Sequence, residues 1–205
     1  MIRLLFVGDG ERDAAMNPPL VEVLTGAEVE ATTRPWARLN VRGYDRKLRF
    51  AIRQARDEGL QGVVATIDRD KSSGHDRLRE LKAGRTRDRE TAPPLPAALG
   101  AANPHAEAWL LDDPVAVRTV LGLDNDAAIP SIRKTKSPKD ALTNLHTQCP
   151  RADVAMRQIL AEIAATLDLT RCVHKDETGF TAFADEVNVE IHPLSARQTI
   201  SFTNG

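Results

Sequence analysis

The sequence predicts an α/β fold, a mostly parallel sheet flanked by helices, with a mainly helical C-terminal part. Three observations carry this. Before residue 104, short apolar runs alternate with segments of helical periodicity three times over, the pattern of successive strand–helix units. Two of those runs, 2–7 and 61–67, end abruptly in acidic, glycine-containing or polar stretches, as strands do when they feed loops. From residue 105 onward the apolar residues recur mainly at helical spacing. The division expected is a core over 1–104 and a helical extension over 105–205 packed on it.

In order, residues 2–7 read as a buried strand, broken by Gly8-Asp9-Gly10-Glu11-Arg12-Asp13. The two glycines there permit a tight strand-to-helix turn. A helix is expected over 14–24, with Pro18 and Pro19 in its first turn or breaking it. A second strand follows at 29–33 and a loop at 35–43. Residues 44–58 form the clearest early helix, because Leu48, Ala51, Ile52 and Ala55 share a face and Gly59 is a plausible stop. Val63, Val64 and Ile67 favour a buried strand over 61–67. A helix is expected at 74–84, an exposed polar stretch at 85–94, and a strand at 95–102 ending at Asn103-Pro104. Helices follow at 105–111, 114–121, 151–167 and 178–189. Ser137 is the expected cap of a further helix with Pro138 in its first position. Residues 192–205 read as a tail or a late-added strand. Trp109 reads as core and Tyr44 as a packing residue at a helix start.

The 205 residues are 41% hydrophobic and 28% charged, which describes a folded, soluble chain rather than a disordered one. A formal net charge of -1 gives no reason to expect polyanion binding by overall charge, although a local basic face is compatible with it. Cys149 and Cys172 form no metal-ligand or redox motif and read as free thiols of a reducing cytoplasm. No apolar stretch approaches the roughly 20 residues of a membrane span, and 1–7 is too short for a signal peptide. No GxxxxGK[ST] is present, so any use of ATP would come from another chain.

Acids at strand ends carry the candidate chemistry. Asp68 and Asp70 close the run 61–67, and Asp9, Glu11 and Asp13 close the run 2–7. In a parallel sheet both ends emerge at the same edge, where ligands of α/β proteins gather. Two carboxylates about 4 Å apart repel by roughly 4 kcal/mol at an effective dielectric of about 20. Divalent cations relieve such repulsion, and Mg²⁺ takes one or two carboxylates with waters and phosphate oxygens. A pair of such ions would clamp a phosphodiester and activate a water. The macrodipole of a helix starting near Asp9 and Asp13 explains one or two of these acids on its own, not the combination.

Gly8-Asp9-Gly10-Glu11-Arg12-Asp13-Ala14, followed later by Thr66-Ile67-Asp68-Arg69-Asp70, resembles the Toprim catalytic domain of topoisomerases, primases and overcoming-lysogenization-defect nucleases. The pattern there is an acid–glycine motif after the first strand and Asp-x-Asp after a later one. In the nuclease branch a second acid often lies four residues beyond the first, the spacing of Asp9 and Asp13. The first acid is usually glutamate, so Asp9 and Glu11 are both candidates for it. The resemblance covers about 1–104. A looser one, through Asn103 to Leu111, is to small Toprim-like proteins encoded beside ATPases in bacterial defence operons.

The resemblance implies Mg²⁺ or Mn²⁺ held by Asp68 and Asp70, completed by Asp9 with Asp13 or Glu11. The first-motif acid would also serve as general acid or base. Lys71 would neutralise a phosphate or leaving oxygen, unless it is simply solvated. Glu107, just past a strand end, is a further ligand or an acid orienting one. His105 reads as a helix-start residue. Arg133, Lys134, Lys136 and Lys139 form a compact basic stretch before a helix start, which suits phosphate. The stretch Arg77 to Arg89 is interrupted by acids and reads as a solvated face. With only 4% aromatic residues, extensive base stacking is not expected. The expected activity is metal-dependent cleavage of DNA or RNA in the cytoplasm, as a phage-defence effector with an ATPase partner and with self-association left open. A non-catalytic Toprim-like interaction subunit and a small-molecule phosphatase are the alternatives.

Overall fold

Four strands, β1 (Ile2–Gly8), β2 (Val29–Pro35), β3 (Gly62–Asp68) and β4 (Ala97–Ala102), form one sheet. In the computed structural model, which describes residues 1–69 and 74–201, the order is β2-β1-β3-β4 and every pair is parallel. The central strands are buried on both faces and therefore read as continuous apolar runs. Ile2, Leu4 and Phe6 share one core with Val64 and Ala98. Leu5 and Val7 share the opposite one with Val63, Ala65, Ile67 and Leu99. β2 lies at an edge and is only partly buried, with Glu30 exposed on it, a charge pattern that discourages pairing with another chain.

Helices cover both faces. α2 (Tyr44–Asp57) and α3 (Gly74–Thr91) lie against the Leu5–Val7 face, with Leu48, Ile52 and Leu81 buried there. α1 (Glu11–Thr25) covers the other face with the C-terminal helices α4 (Glu107–Leu111), α5 (Pro114–Leu121), α6 (Pro138–Thr147), α7 (Met156–Thr166), α8 (Phe180–Glu190) and α9 (His192–Ser201). α7 packs along α1 and α8 along β4. Residues after 104 therefore share a core with the sheet. Trp109 is fully buried, stacked on Phe183 at 4.9 Å, and its indole N–H donates to the Thr178 carbonyl at 2.9 Å. Asp113, also fully buried, caps α5 by accepting from the amides of Val115 and Ala116, takes the Asp168 amide, and is ion-paired with Arg171. Among the described residues, no helix is long and apolar enough to cross a membrane.

Four local expectations are corrected. α1 begins at Glu11, and Pro18 and Pro19 lie in its interior rather than in its first turn or at a break. Each proline costs a helix interior roughly 3 kcal/mol. Met16, Leu20 and Val21 of the same helix are fully buried, and at about 1.5–3 kcal/mol per side chain their burial is of the same order as the cost of the two prolines. α3 does not stop at Gly84. A Cβ there would lie 2.5 Å from the Asp45 carbonyl oxygen, so this glycine serves the close crossing of α3 over α2. The stretch beyond it is helical to Thr91, with Asp88 buried against Arg56 and Arg85 paired with Glu186. The segment 35–43 contains a short 3-10 turn, Trp36–Arg38, that buries Trp36. Residues 192–201 form α9, a helix that buries Leu194, rather than a tail or strand.

Candidate functional site

The strand order reverses direction between β1 and β3, since β2 lies outward of β1 and β4 outward of β3. The carboxyl ends of β1 and β3 thus flank the switch point at which open α/β sheets bind ligands. Asp9 follows β1 directly and Asp68 is the last residue of β3. Three carboxylate–amide bonds run in series across this edge. The Asp9 amide donates to Asp13 Oδ2 at 2.6 Å, the Asp68 amide to Asp9 Oδ2 at 3.1 Å, and the Ala106 amide to Asp68 Oδ1 at 3.1 Å. Together they link α1, the end of β1, the end of β3 and the entrance to α4.

Gly8 makes the first of these links feasible. A Cβ on it would lie 2.6 Å from Asp13 Cβ, closer than such atoms approach, so Asp13 folds back over a residue with no side chain. Gly10 does not have that role: its backbone is extended at φ -171 and a Cβ there would meet nothing within 4 Å. The expected conformational need for two glycines reduces to a steric need for one.

Asp13 is 7% exposed, and its pKa is pushed up from 3.8 to about 7. Burial is the main cause, followed by the charge of Asp68. The charges of Asp9 and Glu107 add to it, and the Asp9 amide opposes it. Glu107 is buried and paired with Arg12, Nη1 to Oε1 at 3.0 Å. Arg12 Nη2 reaches Thr143 Oγ1 of α6 at 3.1 Å. Behind the acids, buried Asn17, one turn after Asp13, donates to Thr66 Oγ1 of β3 at 2.8 Å.

The acids, with Arg12 and Lys139, line an open cleft of about 190 Å³. Of the residues singled out from sequence, Asp9, Glu11, Asp13, Asp68, Glu107 and Lys139 meet there. Asp9, rather than Glu11, is bonded to the end of β3; Glu11 is exposed at the start of α1. Asp70 and Lys71 lie outside the described residues. Lys134 and Lys136 are exposed and do not line the cleft, and Arg133 is ion-paired with Glu177. His105 precedes α4 and its carbonyl accepts from the Ala108 amide. Arg12 and Thr143 were not anticipated. Their spacing to Glu107 along the chain carries no local signal.

An all-carboxylate set of hard oxygen donors matches Mg²⁺ or Mn²⁺ in chemistry. Among the described residues, no three His, Cys, Asp or Glu side chains are grouped so as to hold one metal ion. Asp9 and Asp68 at the cleft supply the one or two carboxylates that Mg²⁺ takes alongside its waters. Compared with known proteins, the chain matches no family, and no curated protein or solved structure is significantly similar to it.

Proposed function

We propose that the chain is a Toprim-like, Mg²⁺- or Mn²⁺-dependent nuclease that hydrolyses phosphodiester bonds of DNA or RNA. The observation that carries this reading is the meeting of Asp9, Asp13, Asp68 and Glu107 at the switch point of a parallel sheet. A bound divalent cation would supply Lewis-acid polarisation of the phosphate and a more acidic water. Asp9 and Asp68 would be its holders, each already oriented by a main-chain amide. Asp13, which gains a proton at about pH 7, would release it as positive charge enters the cleft, or exchange one with a reacting oxygen at neutral pH. Lys139, at the cleft wall, offers a cation to a phosphate oxygen. Arg12 is committed to Glu107 and Thr143 and holds α6, which carries Lys139, against α1. Action with a separate ATPase in phage defence rests on the looser resemblance of residues 103–111, and the cytoplasmic setting on Cys149 and Cys172 as free thiols.

Asp9, standing where the resembled domain usually carries glutamate, favours one second reading, a non-catalytic Toprim-like subunit that acts through a partner. Cleavage assays on plasmid DNA and on tRNA, with Mg²⁺ or Mn²⁺, separate the two. Wild type should cut and Asp68→Ala should not. Equal activity in both removes the nuclease reading. Turnover of a generic phosphomonoester without cleavage of either polynucleotide would instead mark a phosphatase.

A further inference from the structure

Between Trp36 and Arg56 the chain carries Arg38, Arg42, Arg46, Lys47, Arg49, Arg53 and Arg56 against a single acid, Asp45. That acid is taken by Arg87 of α3. Elsewhere arginines commonly sit against carboxylates, as Arg34 does with Glu58 and Arg89 with Glu190. Arg38, Arg42, Arg46, Arg49 and Arg53 have no such partner among the described residues. On α2, residues 46, 49 and 53 fall on one side at helical spacing, opposite the buried Leu48, Ala51, Ile52 and Ala55. Arg38, Arg42, Arg46 and Arg53 are exposed. Phe50 stands among them 37% exposed. In a protein of net charge -1, so many uncompensated guanidinium groups on one face form a local positive field that overall charge conceals.

This face begins at the sheet edge that carries the acids, with α2 on the other side of the sheet from α1 and α6. The last residue of β2, Pro35, pairs with Gly8, the residue before Asp9. Trp36 then donates its indole N–H to the Thr66 carbonyl, two residues before Asp68, at 2.8 Å, and packs edge-on against Tyr44 at the start of α2. The loop bearing Arg38 and Arg42 therefore leaves the sheet at the same edge as the acids. From there Arg46, Arg49 and Arg53 continue along α2 for about 10 Å at 1.5 Å per residue.

We infer that the outer face of α2 and the loop before it bind the sugar–phosphate backbone of a nucleic acid and lead it to the acidic cleft. Unpaired guanidinium groups are suited to phosphate, and contacts of this kind position a polynucleotide without reading its sequence. A membrane surface fits less well, because a helix lying in a bilayer interface buries an apolar face there, and the apolar face of α2 is already buried against the sheet. The direction of the track toward the cleft rests on the nuclease reading; the binding itself does not.

The test is fluorescence anisotropy of a labelled single-stranded and a duplex oligonucleotide with the full chain in EDTA, at several salt concentrations. Arg46→Ala with Arg53→Ala should weaken binding about tenfold and lower the slope of log affinity against log salt by about 2. Arg157→Glu, an equal change of charge at an exposed position of α7 on the opposite side of the sheet, should change little. Arg46→Lys with Arg53→Lys should retain most of the binding. Unchanged affinity in the first variant, or an equal loss in the second, overturns the inference. So does binding to anionic phosphatidylserine vesicles without binding to either oligonucleotide. Because EDTA excludes turnover, a chain that binds through α2 yet never cleaves leaves this inference standing and removes the nuclease reading alone.

Discussion

The main-chain amide of Asp68 donates to the side chain of Asp9 at 3.1 Å, so the ends of β3 and β1 are joined through a carboxylate. Asp9→Asn keeps an oxygen acceptor for that amide while removing the charge. It should leave the thermal midpoint nearly unchanged and abolish stabilisation by added Mn²⁺, followed by differential scanning fluorimetry. Asp9→Ala loses the acceptor as well and should cost about 1 kcal/mol. Retention of the Mn²⁺ effect in Asp9→Asn would show that the ion sits elsewhere.

Asp13 should make stability fall as pH rises. Its folded pKa of about 7 lies above the ordinary 3.8, so between about pH 4 and pH 7 the folded chain keeps a proton that the unfolded chain releases. Stability should decline as pH rises across that window and level off above it. The loss is up to about 4 kcal/mol at 1.36 kcal/mol per pH unit. Asp13→Asn should flatten the profile and be the more stable protein at pH 8. Urea unfolding at pH 5, 6, 7 and 8 measures it. A wild-type curve that is flat across this range contradicts the assignment.

The Gly8 and Gly10 substitutions separate space from backbone freedom. Gly8→Ala forces a methyl group into Asp13 and should cost about 1–3 kcal/mol, as overpacking does. Gly10→Ala meets nothing within 4 Å and should stay within about 0.5 kcal/mol of wild type. Comparable losses in the two variants would refute the steric account.

Arg12 is the counter-charge of a Glu107 that is only 4% exposed. Arg12→Ala should destabilise by about 2 kcal/mol, less than for a wholly buried pair because Arg12 is partly exposed. Arg12→Ala with Glu107→Ala should recover part of that loss. Additive losses in the double-mutant cycle would mean that the two side chains are not coupled.

Burial alone would raise the pKa of Asp113, but the Arg171 guanidinium and the amides of Asp168 and Ala116 outweigh it and hold the carboxyl below its usual value. Its contribution is present at neutral pH and lost as pH falls below the ordinary carboxylate range. Asp113→Asn should therefore be markedly less stable than wild type at pH 7. The gap should narrow under acid in parallel unfolding curves.

The alternation of strands and helices was legible because the buried strands are apolar on both faces and the amphipathic face of α2 is strongly periodic. From that reading the meeting of Asp9 with Asp68 followed, since parallel strands bring their carboxyl ends to one edge. What stayed hidden is tertiary in origin. Pro18 and Pro19 argue against the helix that α7 sustains, Gly84 mimics a stop signal while serving a helix crossing, and Arg85 looks solvated until Glu186 arrives from 101 residues away. Arg46, Arg49 and Arg53 of α2 were visible as residue types. Their lack of carboxylate partners becomes apparent only when α3 and its acids are in place.

The late position of α7 and α8 in the chain has a consequence for synthesis. A nascent polypeptide of about 104 residues already holds all four strands and both helices of the Leu5–Val7 face, yet Leu4, Phe6, Val64 and Ala98 gain their complete cover only when Ile159, Ile163, Phe180 and Phe183 have emerged. Until then that side of the sheet has only α1 over it and is partly open to water or to other chains. Nascent chains stalled with residue 110 just outside the ribosome should recruit a hydrophobic-surface chaperone, and chains released beyond residue 190 should escape it.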